Sequence, residues 1–587
     1  MQMQTEWTGK MSNEHNSKAI KMKTDDIYRR IVGTTLMQLS TTDRYAQVSI
    51  NEGIRRHGDK AMAAILNKYT QLNDKKVFKP YMASELTRKE KVDALNLITM
   101  VKEKRDGKIK GRACADGRKQ RRYIRKDEVS SPTVQLESLM MTMLIDAHEH
   151  RDVATADFVG AYLLADMEEF TLIKVTDTTV DIMCKVNPTY EKYVTIEKGK
   201  KTLYLGLVKA LYGCMQSALL WYRTFKGCLE EMGFTLNPYD PCVANKDING
   251  HQCTICWYVD DTKISHVDSK VVDTIIENIE AKVGKMTVTR GNKHTFVGVD
   301  IEFIGNGSVS LSMNGYTDEC VKLYQHEISS KAKTPARGDL FEEDSGDLAT
   351  LLGEDKADKF HHTTAKLLYL SKRVRLDIDL AVWFLCTRVA SPTTGDEEKL
   401  KRVLSYLQGT KRMNRIIGMN GLSYLQTWID ASYAVHRDMR GHTGGVISLG
   451  RGAVIHNCSK QKINTKSSTE SEVVGASDFL PYTIWASYFL REQGYELSRN
   501  IFYQDNTSAI KMLKNGKSSC GSKSRHIHIR YFFSKDVIKR ENMEVLHCPT
   551  DAMIADFYTK PLQGKQYYHL RQLIMGHSPL IRSRGAC

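Results

Sequence analysis

Two adjacent aspartates, Asp260 and Asp261, lie between two apolar half-strands in the segment CTICWYVDDTKISHV. Apolar runs on both sides of a short polar tip predict a β-hairpin that carries both carboxylates at its turn. Such a pair is also common in ordinary exposed turns, because aspartate favours turn conformations. The pair therefore indicates chemistry only if another carboxylate reaches the same place.

A third carboxylate is supplied by Asp157, which ends a short apolar strand in the upstream segment TADFVGAYLLADM. Carboxylate and phosphate oxygens are the ligands that Mg²⁺ prefers. Two such ions about 3.5–4 Å apart can activate a 3′-hydroxyl and neutralise a leaving pyrophosphate. The three aspartates thus predict a nucleotidyl-transfer site that holds two Mg²⁺ ions, with Mn²⁺ as an alternative.

The size and charge of the chain fit a large nucleic-acid-binding protein. With 587 residues it is too long for one hydrophobic core, and domain-size statistics predict about three or four globular units. Lysine and arginine outnumber aspartate and glutamate by 85 to 69, which gives a formal net charge of +16. This balance favours a polyanionic partner, although ribosomal, chromatin and membrane-surface proteins share it.

Neither the cysteines nor the apolar runs indicate a structural metal or a membrane. The pair Cys253 and Cys256 lies in a predicted strand, where residues three apart face opposite ways and cannot share an ion. Scattered free thiols predict an intracellular protein. No apolar run approaches the roughly 20 residues of a membrane span, and the start has no signal-peptide core.

The pattern of the chain changes after an acidic, glycine-bearing segment at Ala336–Lys359, which we interpret as a linker. Thr394 and Glu397 then form a capping box, an apolar stripe follows, and Gly409 ends the predicted helix. From about Leu425 to Leu562, strands and helices alternate over one domain's length.

Several ordered blocks resemble the copia-type LTR retrotransposon polymerases. They are YVDD, LVKALYGCMQSALLWYRTF, GFTLNPYDPCVANK, FVGVDIEF, LLYLSKRVRLDIDLAV and KRVLSYLQGTK, and the resemblance covers roughly residues 55 to 575. KIKGRACADGRKQR is similar to elements of algal or diatom kind. The resemblance implies an α+β multidomain fold, a right-hand polymerase with fingers, palm and thumb followed by an RNase H-like α/β domain.

The resemblance also implies roles for the polymerase residues. Asp157, Asp260 and Asp261 match the metal ligands of the palm. Lys110 and Arg112 match residues that grip the incoming triphosphate from a flexible loop, although a solvated basic face is an equally simple interpretation.

Three further residues match the nucleotide pocket of the family. Gly213 and Ser217 fall where relatives line it, and Ala218 replaces the usual proline. Tyr162, five residues after Asp157, matches the aromatic residue that packs under the deoxyribose and excludes a 2′-hydroxyl. The alternative for Tyr162 is a core tyrosine that only packs.

RNase H chemistry needs a second cluster of four acids around two Mg²⁺ ions. Blocks that resemble those of copia-type RNase H domains supply Asp430, Glu472, Asp505 and Asp556. His528 stands where relatives commonly carry an acid, and the sequence assigns it no role.

The start of the helix around Glu472 leaves two interpretations. Thr469 and Glu472 satisfy the capping-box pattern, in which the glutamate would serve only the helix. Ser467 and Glu470 form a second box, so Glu470 could cap the helix while Glu472 binds metal, which is the alternative that we favour.

The resemblance implies RNA-directed DNA synthesis and cleavage of the RNA strand of the hybrid, with RNA template, DNA primer, RNA–DNA hybrid and dNTPs as partners. A catalytically inactive or domesticated nucleic-acid-binding relic is the main alternative. A maturase or telomerase-like polymerase is disfavoured, because neither normally has the C-terminal nuclease.

We expect no membrane partner, and we find no capsid, protease or integrase segment in the sequence. We expect the protein in a cytoplasmic virus-like particle and in the nucleus. The predicted units are a polar leader (1–50), reverse transcriptase (51–330), a linker and helical connection (331–420), an RNase H-like domain (421–565) and a tail (566–587).

Overall fold

The computed structural model describes residues 47–103, 107–125, 129–328, 331–343, 350–419, 421, 424–516 and 528–580. The predicted leader therefore lies outside the described residues up to position 46. From Gln47 onward the chain is ordered into a short strand, Gln47–Ser49, and a helix, Ile50–His57. Ser49 caps this helix, because its side chain accepts a hydrogen bond from the backbone N–H of Glu52 at 3.4 Å.

The first sheet has seven strands and lies on the N-terminal side of the molecule. Its main path pairs Gln47–Ser49, Leu95–Glu103, Leu172–Thr176, Lys200–Leu207 and Phe78–Tyr81, while Ile109–Ala115 pairs with Leu95–Glu103 and Thr195–Glu197 with Lys200–Leu207. Helices pack on it and close a separate core around Ile65, Leu95, Ile173 and Leu205.

The second sheet is antiparallel and has six strands. Their order is Met286–Arg290, Asp152–Phe158, Asp261–His266, His251–Tyr258, Asp240–Ile248 and Thr235–Asn237. The strand Asp152–Phe158 lies inside the sheet with a partner on each side, so five of its seven residues are buried. This position explains the apolar run that precedes Asp157 in the sequence.

The third sheet joins parts of the chain that are far apart in sequence. Its strands are Lys293–Phe296, Val299–Gly305, Ser308–Ser312, Arg415–Met419 and Gly450–Arg451. Ser308–Ser312 pairs antiparallel with Arg415–Met419. A segment of the predicted helical connection thus completes a sheet that begins in the predicted polymerase unit.

The fourth sheet is the mixed sheet of the C-terminal region. Its order is Ile455–Lys460, His442–Ser448, Tyr424–Ser432, Arg499–Gln504 and Glu544–His547. The first three strands are antiparallel neighbours, and the last two continue parallel to Tyr424–Ser432. In chain order this is 3-2-1-4-5, with one long helix, Ser468–Glu492, packed across the sheet. The described residues confirm the predicted α+β multidomain class with an RNase H-like α/β unit at the C-terminal end.

The remaining helices fill the space between and around the sheets. They are Asp59–Asp74, Arg88–Asp93, Leu136–His148, Thr178–Val186, Ser217–Glu231, Ser269–Lys282, Asn314–Lys322, Glu354–Arg373, Asp379–Arg388, Thr394–Gly409, Thr507–Asn515, His528–Arg540 and Gly564–Ile574. Leu136–His148 is buried on every face from Ser138 to Ala147, because it is enclosed by the continuous core that runs beneath the second, third and fourth sheets. Within the described part of the chain, no helix has the length and apolar character needed to cross a membrane.

The predicted linker is mostly exposed and is anchored at a few apolar residues. Ala336 and Leu340 are buried, and the ring of Phe341 lies 5.6 Å from that of His442. The helix Glu354–Arg373 already begins inside the predicted linker range. Residues 344–349 lie outside the described residues. Most acidic residues of this segment are exposed, and apolar residues at intervals anchor it to the C-terminal sheet.

The capping box of the next helix lies one residue earlier than predicted. Thr393, not Thr394, is the N-cap, and Asp396, not Glu397, is its reciprocal partner. The Thr393 hydroxyl accepts from the Asp396 N–H at 3.2 Å, and the Asp396 carboxylate accepts from the Thr393 N–H at 2.9 Å. The helix ends at Gly409, as predicted.

The C-terminal unit packs directly against the second sheet. The Trp485 indole N–H donates to the Tyr239 carbonyl at 3.3 Å, and a guanidinium N–H of Arg151 donates to the Tyr495 hydroxyl at 3.2 Å. The two candidate sites are therefore carried by units that share a contact surface.

Candidate active sites

The hairpin predicted around the adjacent aspartates is present. Tyr258 pairs with Asp261 at the ends of two antiparallel strands, which leaves Val259 and Asp260 at the tip. Val259 has φ +58°, a conformation that a β-branched residue rarely adopts. Its carbonyl accepts a hydrogen bond from the Trp221 indole N–H at 2.5 Å, which holds the turn in place.

Asp157 lies directly across from the hairpin. It is the cross-strand partner of Asp261, so the two side chains point to the same face of the second sheet. Asp157 is exposed, while Asp260 and Asp261 are half-buried. The Phe158 N–H donates to the Asp260 carbonyl at 3.2 Å, which ties the end of the Asp157 strand to the hairpin tip.

Burial raises the pKa values of both hairpin acids, and neighbouring carboxylates add to the rise at Asp261. Burial, followed by the charges of Asp260 and Asp157, raises the pKa of Asp261 to about 6. Burial also raises the pKa of Asp260, while its own backbone N–H and the charge of Lys110 oppose that rise. Carboxylates held together in this way favour a bound cation.

Lys110 and Arg112 lie on the paired strand Ile109–Ala115, so the prediction of a flexible loop was wrong for them. They are two residues apart on one strand and therefore share a face. The charge of Lys110 lowers the pKa of Asp260, and that of Arg112 acts on Tyr212, so this face is directed towards the acids. A strand holds two cations in a more fixed position than a loop would.

Tyr162 lies beside the acids in a short 3₁₀ helix, Ala161–Leu164. Its ring centroid is 4.4 Å from that of Tyr212, and its side chain is half-buried. Burial, then the charges of Asp260 and Tyr258, raises the pKa of Tyr162 to about 12. The ring is thus near the hairpin tip, and its role as a sugar gate stays a prediction.

Gly213 and Ser217 shape the loop next to this site. Gly213 has φ +94°, and a Cβ there would lie 2.0 Å from the Ala115 carbonyl oxygen, so only glycine fits. Ser217 is buried and donates its hydroxyl hydrogen to the Leu211 carbonyl at 2.7 Å. In this position Ser217 holds the loop, and a direct contact with a nucleotide stays a prediction. Ala218, which replaces the usual proline, is the second residue of the helix Ser217–Glu231. The first turn of this helix forms without a proline at that position.

The C-terminal sheet brings three of the four predicted nuclease acids together. Ligand atoms of Asp430, Glu472 and Asp505 all lie within 4.8 Å of one another. Among the described residues no other group of three acids, histidines or cysteines meets this distance, so the three palm aspartates, although neighbours, are further apart. Trp428 pairs with Tyr503 in parallel strands, which places Asp430 and Asp505 at adjacent carboxyl ends.

Glu472 is held inside this cluster. Its carboxylate accepts a hydrogen bond from the Gln504 side-chain amide at 3.1 Å. Burial, followed by the charges of Asp430 and Asp505, raises its pKa well above the usual range. Burial and Asp430 raise the pKa of Asp505 as well.

Lys560 links Asp556 to the other three acids, because its ammonium contacts both Asp556 and Asp430. The Lys560 ammonium lies 2.8 Å from Asp556 Oδ1 and 3.5 Å from Asp430 Oδ1. Burial and the charge of Asp430 raise the pKa of Asp556 to about 7, against the effect of Lys560. Asp430, Glu472, Asp505 and Lys560 line an open pocket of about 510 Å³.

The start of the long helix decides between the two capping interpretations. Ser467 is the N-cap, its hydroxyl accepts from the Glu470 N–H at 3.3 Å, and the Glu470 carboxylate accepts from the Lys466 N–H at 2.7 Å. Thr469 lies inside the helix. The box of Thr469 and Glu472 was therefore wrong, and Glu470 takes the capping position.

Comparisons with known proteins identify the family. Residues 85–336 match the family described as reverse transcriptase (RNA-dependent DNA polymerase). The chain is 26% identical over 489 residues to the retrovirus-related Pol polyprotein of transposon TNT 1-94 from Nicotiana tabacum, covering 81% of this chain and 35% of the relative. It is 25% identical to that of transposon RE1 from Arabidopsis thaliana (80% and 30% covered) and 22% identical to the transposon Ty1-LR2 Gag-Pol polyprotein of Saccharomyces cerevisiae (91% and 30%).

Residues 85–336 form a reverse transcriptase domain of the copia type. The chain spans about a third of the length of the curated relatives that it matches.

Two solved structures are similar to this copia-type reverse transcriptase. One is the foamy viral protease-reverse transcriptase dRH in complex with double-stranded DNA, with a TM-score of 0.46, 12% identity, and coverage of 82% of this chain and 68% of that one. The other is the foamy viral protease-reverse transcriptase in complex with RNA/DNA hybrid, with a TM-score of 0.44, 13% identity, and coverage of 78% and 50%.

Lys560 is the residue of the copia-type site that sequence reasoning missed. It follows Asp556 by four positions in MIADFYTKPL, a spacing at which opposite charges commonly pair. That spacing is the signal that would have found it. His528 begins the helix His528–Arg540 and remains without an assigned role.

Proposed function

We propose that this chain synthesises DNA on an RNA template and cleaves the RNA strand of the hybrid that it makes. The observation that carries the first activity is the pairing of Asp157 with Asp261 beside Asp260. The proposed partners are RNA template, DNA primer, dNTPs and RNA–DNA hybrid, which the formal net charge of +16 would attract.

The three palm aspartates fit divalent cations, because Asp157 and Asp261 point to one face of the sheet beside Asp260, and the charges of Asp260 and Asp157 help to raise the pKa of Asp261. They would hold Mg²⁺, which supplies a positive charge that makes a primer 3′-hydroxyl more acidic and stabilises a leaving pyrophosphate. Lys110 and Arg112, on the strand Ile109–Ala115, would bind the triphosphate oxygens of a dNTP. Cations fixed on a strand can orient that group without a loop closing.

The nuclease proposal rests on the close group of Asp430, Glu472 and Asp505, with Asp556 held at its edge by Lys560. These carboxylates would hold the second pair of Mg²⁺ ions. Gln504 and Thr559 orient the acids, since Gln504 donates to Glu472 and Thr559 donates to Asp430. Lys560 would compete with a metal for Asp430 and Asp556, so metal binding requires its ammonium to move aside.

The alternative, a catalytically inactive relic, would keep the fold but would catalyse neither reaction. A decaying copy would be expected to lose some acids, whereas three palm acids and four nuclease acids are all present at their positions. This supports the active form.

One substrate tests both activities. An end-labelled RNA template annealed to a DNA primer, incubated with Mg²⁺ and dNTPs, reports primer extension and template shortening in the same sample. Asp261→Asn should lose only extension, and Glu472→Gln only shortening. A wild-type protein that binds this substrate but does neither reaction would favour the relic.

A further inference from the structure

A basic pocket lies where the segment after residue 330 meets the start of the last helix, and it shares no lining residue with the pocket of the nuclease acids. Its volume is about 400 Å³. The residues that matter for its chemistry are Lys331, Lys333, Thr334, Arg402, Gln563 and Tyr568.

The cations of this pocket lack ion-pair partners within the described residues. Neither Lys331, Lys333 nor Arg402 has a carboxylate oxygen within 4.0 Å there. The Arg402 Nε is shielded from solvent and makes no hydrogen bond to any described group. Arg337 adds a further positive charge close to Arg402, and Asp339 is the acid that partly offsets it. Unpaired cations gathered around one cavity favour an anionic ligand.

The pocket is built by hydrogen bonds between two distant parts of the chain. Buried Thr334 has its hydroxyl 3.0 Å from the Gln563 side-chain oxygen, and it accepts from an Arg402 guanidinium N–H at 3.0 Å. The Gln563 amide donates to the Ala336 carbonyl at 3.0 Å, and the Tyr568 hydroxyl donates to the Lys333 carbonyl at 3.3 Å. These bonds fix the two segments that carry the lysines and the helix start.

The helix Gly564–Ile574 opens at this pocket. Gln563 is its N-cap and makes no side-chain hydrogen bond to the first turn. The N–H groups of that turn and the positive end of the helix dipole therefore add to the charge of the three side chains. Guanidinium, ammonium and helix N–H groups together are typical of sites that bind phosphate oxygens.

We propose that this pocket binds a backbone phosphate of the RNA–DNA hybrid close to the nuclease acids. This inference rests on the proposed function, which supplies the hybrid. Lys560 lines the nuclease pocket and Gln563 lines the basic pocket, three residues further on. Three residues span at most about 11 Å. The bound phosphate would therefore lie near the cleaved one along the hybrid.

Such a contact would position the hybrid without reading its sequence, because phosphates carry no base information. It would fix the distance between the cleaved bond and a point of attachment. The cleavage register along the RNA strand would then depend on Lys331 and Lys333.

The test is the double variant Lys331→Gln/Lys333→Gln, compared with the control Lys192→Gln/Lys198→Gln. All four lysines are exposed, and the control pair lies by the first sheet. Hybrid affinity is measured as a function of salt. The pocket variant should bind the hybrid about tenfold more weakly at 0.15 M salt. The slope of log K against log salt should become shallower by the amount expected for the loss of about two lysine–phosphate contacts. The control should match the wild type.

A second measurement places the contact. The probes are a series of hybrids, each with one neutral methylphosphonate linkage at a different position of the RNA strand. At a single position the neutral linkage should weaken binding by the wild type. At that position it should not weaken binding by the pocket variant. If the pocket variant has the same hybrid affinity, salt dependence and cleavage pattern as the wild type, the pocket does not bind the phosphate. That result would leave the proposed function intact. A wild-type protein that binds no hybrid would overturn both.

Discussion

Asp157 and Asp261 are cross-strand partners in the centre of a six-stranded antiparallel sheet, one at the end of its strand and the other at the start of the next. Asp260 precedes Asp261 at the hairpin tip, where Val259 adopts a left-handed conformation. Sheet pairing, rather than loop structure, therefore fixes the relative positions of these acids.

Replacing Asp157 by Asn should abolish metal-dependent DNA synthesis while primer–template binding survives. Asn keeps the shape of the side chain but removes a charged metal ligand, which is worth several kcal/mol in such sites. We expect extension to fall by at least about a thousandfold, since each 1.4 kcal/mol is tenfold in rate. Extension rates and hybrid affinity are measured on the same preparations, with Asp358→Asn on an exposed helix turn as the matched control. Normal synthesis by Asp157→Asn would contradict the site.

Glu472→Gln should stop cleavage of the RNA strand and leave primer extension unchanged. Glu472 lies within 4.8 Å of Asp430 and Asp505, whereas Glu470 accepts a backbone hydrogen bond at the helix start. Glu470→Gln retains an oxygen acceptor and should cleave at close to the wild-type rate. A cleavage assay on labelled hybrid decides, and the reverse pattern would show that Glu470 is the catalytic acid.

Tyr162→Val should raise the use of rNTPs relative to dNTPs. The ring lies near Asp260 and against Tyr212, so shrinking it opens space where a 2′-hydroxyl would otherwise collide. Tyr162→Phe keeps the ring and should keep wild-type discrimination. Single-nucleotide extension with each sugar gives the ratio, and equal ratios for the Val and Phe variants would make Tyr162 a packing residue only.

Asp379→Asn should destabilise the connection between the helices and the C-terminal sheet. The buried Asp379 carboxylate lies 2.8 Å from the Lys372 ammonium and 3.3 Å from His456 Nε2. Breaking a buried pair leaves an uncompensated charge and typically costs about 3–5 kcal/mol. Urea unfolding at pH 7 measures the loss, and Asp358→Asn should change the free energy of unfolding by less than about 0.5 kcal/mol.

The same variant has a defined pH dependence. Burial acts to raise the pKa of Asp379, but Lys372 and His456 outweigh it and hold that pKa well below the usual range. The stability from this carboxylate is therefore fully present above its unfolded pKa of about 3.9 and is lost as the pH falls through the folded value. The gap between wild type and Asp379→Asn should stay constant from pH 7 to about 5 and narrow only in stronger acid.

Local patterns predicted the elements that carry the acids, because each acid lies in or next to a short apolar strand or at a helix start. The hairpin at Asp260 and the strand ending near Asp157 are examples. Local patterns could not predict which distant segments of the chain pair with each other. Arg415–Met419 joins a strand about 100 residues earlier, and no local signal encodes such a partner. Lys560 was missed because its significance depends on Asp430, which reaches it only through the fold.

Primer extension on poly(rA)/oligo(dT) with Mg²⁺ tests the central claim most directly. The purified wild-type chain should add dTMP to the primer, the reaction should require the divalent ion, and Asp260→Asn should add none while binding the duplex as tightly. If the wild-type chain binds poly(rA)/oligo(dT) and adds no nucleotide with Mg²⁺ or Mn²⁺, the assignment of Asp157, Asp260 and Asp261 as a working polymerase site is contradicted.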